Sequence, residues 1–159
     1  IAVVNPVGDV IDPRSGAIVA GARRSADSTE FADIAATLTG FHGAWTTDRE
    51  LGDGASGPLE NTTLVVITTN ARLTKLEATF AAALASQALP SVVSPVGTKY
   101  DGDLVIVLSC GDAQSNPHWV GLTGQHVVRR AVLRAAEEAT SLGEIPSMRD
   151  LASRRGDER

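Results

Sequence analysis

Asn61-Thr62-Thr63-Leu64-Val65-Val66-Ile67-Thr68-Thr69-Asn70-Ala71 is the stretch on which the fold turns. Its middle, Leu64 to Thr69, is a continuous β-branched and apolar run, the composition of a strand buried on both faces. Just upstream, residues 43–60 shift to Gly, Asp, Ser, Thr and Pro, with Gly52, Gly54, Gly57 and Pro58 crowded together. That composition predicts a loop. A loose loop feeding straight into a buried strand is the geometry to expect if a chain is cut at such a junction.

Downstream of this strand, Leu73, Leu76, Phe80 and Leu84 recur at helical spacing and lead into an Ala-rich stretch that Pro90 ends, which predicts a helix. Residues 91–97 read as irregular or extended. Asp101-Gly102-Asp103 then introduces a second buried strand, Leu104 to Leu108. Residues 125–140 form an amphipathic helix, with Val127, Val128, Ala131, Val132 and Ala135 apolar and Arg129, Arg130 and Arg134 around them. Residues 147–159 read as a charged, frayed tail.

Upstream, residues 1–21 alternate short apolar runs with turn chemistry at Asp12-Pro13-Arg14-Ser15-Gly16, the pattern of a hairpin. A helix is predicted over 29–39, stopped by Gly40. The fold class is therefore α+β, with sheets covered by helices.

Composition narrows the partners. A chain of 159 residues makes one domain, and its net charge of −5 with scattered Lys and Arg gives no stripe for a phosphate backbone, so nucleic acid is excluded as a partner. No apolar run reaches membrane-spanning length. The single cysteine, Cys110, forms no internal disulfide, and a cytoplasmic setting is expected, with the periplasm left open because no leader region is visible. The chain opens at Ile1 on a strand already under way, so preceding coding sequence is expected.

Most chemical candidates have a plainer reading. His42, His118 and His126 lack metal-ligand spacing, so no metal site is expected. Cys110, beside Gly111-Asp112 at a strand end, reads as a small buried hydrophobe rather than a nucleophile. The glycines of 52–57 lack the Lys-Ser/Thr of a phosphate loop. Asn61-Thr62-Thr63 and Asp101-Gly102-Asp103 remain as candidates, although both are also ordinary turn chemistry.

The segment from Asn61 to Ala71, followed by Leu73-Thr74, resembles the processing site of the DmpA-type peptidases. That family comprises L-aminopeptidase/D-amino-acid amidases, β-peptidyl aminopeptidases and nylon-oligomer hydrolases. Matching blocks follow the family's order: Val3-Val4-Asn5-Pro6-Val7-Gly8-Asp9-Val10-Ile11-Asp12-Pro13 upstream, Tyr100-Asp101-Gly102-Asp103 downstream, then the last helix.

The resemblance implies a four-layer α-β-β-α sandwich of the N-terminal-nucleophile type. It implies a precursor that cleaves itself between Asn61 and Thr62, with residues 1–61 the end of an α segment and 62–159 the β segment. Thr62 becomes the nucleophile and its freed α-amine the base. Asn5 takes the position of the oxyanion donor, and Asp101 and Asp103 that of an acidic pair beside the amine, both on one strand face and reaching toward Thr62.

The implied partners are the missing N-terminal α segment, which supplies a further Lys or Tyr, and a homo-oligomer of αβ units. No cofactor is implied. The expected activity is that of an aminopeptidase or amidase on short peptides, amides or esters. Hydrolysis of 6-aminohexanoate oligomers is the alternative within the same chemistry, and a non-catalytic binding or assembly subunit the alternative outside it.

Overall fold

The β-branched run forms the middle of a ten-residue strand in the computed structural model, which describes residues 1–39, 61–98 and 101–157. The expected loop at 43–60, together with Gly40, His42 and Tyr100, lies outside the described residues. The chain runs β1 (Ala2–Asn5), β2 (Asp9–Ile11), β3 (Ile18–Ala20), α1 (Ile34–Leu38), β4 (Thr62–Ala71), α2 (Lys75–Ser86), a 3-10 turn (Leu89–Ser91), β5 (Val93–Ser94), β6 (Leu104–Ala113), α3 (Pro117–Glu138) and α4 (Met148–Asp157).

β4 is the central strand of a sheet ordered β1-β4-β6. β1 pairs with it antiparallel, Asn5 opposite Thr62, and β6 pairs parallel, Leu64 opposite Leu104. A parallel neighbour requires a crossover, and α2 lies within it. A capping box starts α2: Thr74 Oγ1 accepts from Glu77 N–H, and Glu77 Oε2 accepts from Thr74 N–H at 2.8 Å.

Only one face of this sheet is covered. Val65 and Ile67 are buried against Ala85, Val128 and Val132 of α2 and α3, whereas Leu64 is 44% exposed. In β6, Val105 and Val107 pack toward the same core, whereas Leu104, Ile106 and Leu108 stay exposed, Leu104 by 50%. The expectation of strands buried on both faces is corrected accordingly: alternate side chains point to opposite faces, and the second face is open among the described residues. Cys110 lies on that open side and is exposed, which corrects its reading as a buried hydrophobe.

The helices also depart from expectation at their ends. α3 begins at Pro117, well before residue 125, because Asn116 caps it by accepting from His118 N–H at 2.9 Å and Pro117 fits the first turn. Its first turns were hard to read because they face α2 with Gly121 and Gly124 rather than large apolar residues. A Cβ on Gly124 would stand 2.9 Å from that of Ala85. α1 is shorter than 29–39, since Phe31 is held in a bridge with Arg23 and the cap falls at Asp33. Residues 148–157 form α4 rather than a frayed tail, with Leu151 buried and Ser147 Oγ accepting from Asp150 N–H.

The predicted hairpin is β2–β3, whose turn is tied by Asp12 Oδ1 accepting from Arg14 N–H at 2.9 Å. β1 belongs to the other sheet, and β5 completes a second sheet ordered β3-β2-β5. Val10 and Val93 join the common core.

Asp9, 1% exposed, fastens this corner. Its carboxylate accepts from Ile34 N–H at 2.8 Å and from Ala22 N–H at 3.2 Å. Burial raises its pKa above the ordinary 3.8 against the pull of those two amides. The folded chain thus holds this proton more tightly than the unfolded one, and ionisation of Asp9 detracts from stability as pH rises from 3.8 through the folded value. Asp9→Ala strands two inward amides and is expected to destabilise the fold by about 2–4 kcal/mol, read as a lower urea midpoint at unchanged slope.

Candidate active site

The end of β1, the start of β4 and residues 101–103 converge on the Asn61-Thr62 junction. Asn5 lies directly across the ladder from Thr62, and Asn61 bridges to Asp101 in parallel. Thr62 is half-buried, and the alternation of β4 turns its side chain toward the open face of the sheet, together with Leu64. Gly102 is its immediate neighbour: a Cβ added there would stand 2.7 Å from Thr62 Oγ1.

Two consecutive residues hold the peptide groups on either side of Thr62. Gly102 N–H donates to the Asn61 carbonyl at 3.2 Å. Asp103 Oδ1 accepts from Thr63 N–H at 2.7 Å. Asp101 anchors the same turn, its Oδ2 accepting from Thr98 N–H at 2.8 Å and its Oδ1 from Val7 N–H at 3.4 Å. The four residues singled out in the sequence, Asn5, Thr62, Asp101 and Asp103, are thus neighbours in space.

The acidic pair departs from expectation in its aim. β6 begins at Leu104, so both carboxylates lie on the turn before it and grip backbone amides rather than lining one strand face.

Burial raises the pKa of Asp103 above the ordinary 3.8 and the neighbouring charge of Asp101 adds to the rise, while the Thr63 amide opposes it. The Thr63 hydroxyl is close enough to lower the value slightly but falls outside hydrogen-bond geometry. Thr63 Oγ1 and Asp103 Oδ2 are consequently both buried without a partner among the described residues. Such oxygens are costly in a folded chain and cluster where chemistry is done.

A cleft of about 440 Å³ opens beside the junction, lined by Val4, Asn5, Val7 and Asn61 together with Ala135 and Ala136 of α3. Thr63 and Gly102 were not singled out by sequence reasoning, although glycine between two aspartates was the available signal. His118 lies elsewhere, stacked on Phe80 at 6.3 Å. Among the described residues no three His, Cys, Asp or Glu side chains stand together as a metal site.

Residues 7–146 match the model of peptidase family S58. The chain belongs to this family. A comparison with curated proteins found no match. The S58 match spans the Asn61-Thr62 junction and residues 101–103, and starts two residues after Asn5. This S58 chain is accordingly a hydrolase of the peptidase class, with an α+β fold as expected. No helix among its described residues is long and apolar enough to cross a membrane.

Proposed function

We propose that this S58 chain cuts itself between Asn61 and Thr62 and then works as an aminopeptidase or amidase on short peptides, amides or esters, with Thr62 as nucleophile. The observation that carries the reading is the placement of Thr62 at the very start of β4, with Asn5 across the ladder and Asp103 holding the following amide. A threonine hydroxyl is a weak nucleophile without a base. Cleavage supplies one, because the freed α-amine has a reference pKa of about 8 and a neutral fraction at neutral pH.

In the cleaved enzyme Thr62 Oγ1 adds to the substrate carbonyl and passes its proton to the amine. Asn5 donates its side-chain amide to the oxyanion. The Asp101–Asp103 turn keeps the new terminus in register. Asp103 does so by holding the amide that follows the terminus, and Asp101 by fixing the turn to Thr98 and Val7. No cofactor enters this chemistry. The apolar lining of the cleft, with Val4, Val7, Ala135 and Ala136, suits an uncharged substrate side chain.

The open sheet face of Val3, Leu64, Leu104, Ile106 and Leu108 is too apolar to be left in water. It supports the four-layer arrangement, in which a second sheet from the preceding α segment closes over it, and αβ units so completed assemble as a homo-oligomer. The junction is tested by intact mass of the full-length protein, wild type and Thr62→Ala: two fragments, one beginning at Thr62, against one uncut chain.

Asp103 gives the pH dependence. Its carboxylate form is the one that holds the Thr63 amide. Activity is therefore expected to fall with pH through a value above the ordinary 3.8, since burial raises it. Asp103→Asn is expected to remove that acid limb and lower the plateau about tenfold or more, as read in a pH profile of kcat.

A further inference from the structure

The oxygen that gathers negative charge during self-cleavage is the Asn61 carbonyl oxygen, and in the uncut chain it already accepts from Gly102 N–H at 3.2 Å. Gly102 also abuts the attacking group, since a Cβ on it would stand 2.7 Å from Thr62 Oγ1. One residue without a side chain thus touches both the nucleophile and the group that it attacks.

We propose that the backbone N–H of Gly102 is the oxyanion donor for the self-cleavage of the Asn61-Thr62 bond. This inference rests on the self-cleavage reading above. In the step, a bond forms between Thr62 Oγ1 and the Asn61 carbonyl carbon, and the carbonyl π pair moves onto the oxygen that faces Gly102. The carbon–nitrogen bond then breaks, the hydroxyl proton ends on the Thr62 nitrogen, and an ester joins Asn61 to Thr62 Oγ1. Water hydrolyses that ester, leaving a carboxylate on Asn61 and restoring the Thr62 hydroxyl.

A bond of 3.2 Å to a neutral carbonyl is long for its kind and tightens as charge develops. It is therefore stronger in the transition state than in the ground state, which is the condition for a rate effect. The donor is also held in place beforehand. Asn61 is bridged to Asp101, and the Asp101 carboxylate fixes the turn to Thr98 and Val7. Any other residue at 102 would set its Cβ against Thr62 Oγ1, so glycine leaves the hydroxyl room to reach the carbonyl. The requirement belongs to the uncut chain, whereas Asn5 serves the substrate oxyanion afterwards.

The test replaces the Gly102 amide by an ester in the full-length protein, which exchanges that N–H for an oxygen and weakens the Asp101 carbonyl as an acceptor while keeping every side chain. The same exchange at Ile106, within the paired part of β6, controls for a weakened ladder. Self-cleavage is expected to slow roughly 10²–10³-fold for the Gly102 ester and to change little for the Ile106 ester. Equal rates for the two esters overturn the proposal.

A wild type that stays uncut overturns the self-cleavage reading and the donor with it, so the two failures are told apart. Hydrogen exchange in the uncut Thr62→Ala protein gives a second reading that does not require the ester chain to fold. A protected Gly102 amide is expected there, and a freely exchanging one overturns the proposal.

Discussion

Thr62→Ala is expected to give one uncut polypeptide without amide hydrolase activity, a loss of about 10⁶-fold when a sole nucleophile is removed. On the proposed mechanism the substitution deletes the attacking oxygen for self-cleavage and, by blocking the cut, also withholds the α-amine proposed as base. Two functions thus disappear with one hydroxyl. Thr62 is half-buried at the start of its strand, so the fold should survive the change, and a thermal unfolding curve close to that of the wild type checks this. Thr62→Ser keeps the hydroxyl and is expected to retain both cutting and turnover. An uncut but active Thr62→Ala protein would refute the nucleophile assignment.

The second large effect is expected at Asn5. Asn5→Ala removes the proposed oxyanion donor, which stands across the ladder from Thr62, and kcat should fall roughly 10²–10³-fold. KM should stay within a few-fold, because the lost interaction belongs to the transition state rather than to substrate binding. A rise in KM with kcat unchanged would instead mark Asn5 as a binding residue. Measuring turnover on protein that has already cut itself separates this from any effect on processing.

Parts of this fold are open to reading because a strong local signal agrees with the tertiary outcome. The β-branched run around Val65 and the helical spacing of Leu73, Leu76, Phe80 and Leu84 both state their structure directly. The beginning of α3 does not, since Gly121 and Gly124 are chosen by the closeness of α2 rather than by helix propensity. The exposure of Leu64, Leu104 and Ile106 was illegible for a different reason. Their composition records what a strand can bury, not what lies against it in this chain.

The site shows the same division. Thr62, Asn5, Asp101 and Asp103 were found through ordered motifs, and those residues do meet. What the motifs do not carry is aim. That Asp103 takes the amide of Thr63, and that Gly102 takes the carbonyl of Asn61, depends on how the turn before β6 folds back on the start of β4.

The register of β1 against β4 has a consequence for how the processed protein survives. Ala2, Val3, Val4 and Asn5 pair with Val65, Leu64, Thr63 and Thr62, and Asp9 and Val10 pair with Ser94 and Val93, so the proposed cut leaves its two products sharing both sheets. One product carries the proposed nucleophile and the carboxylates, and the other carries Asn5. Their seam is the β1–β4 and β2–β5 ladders with the core between them, in place of a covalent link. Pulling the pieces apart would therefore silence the enzyme without altering any side chain, and remixing them under folding conditions would restore it at a rate that depends on concentration.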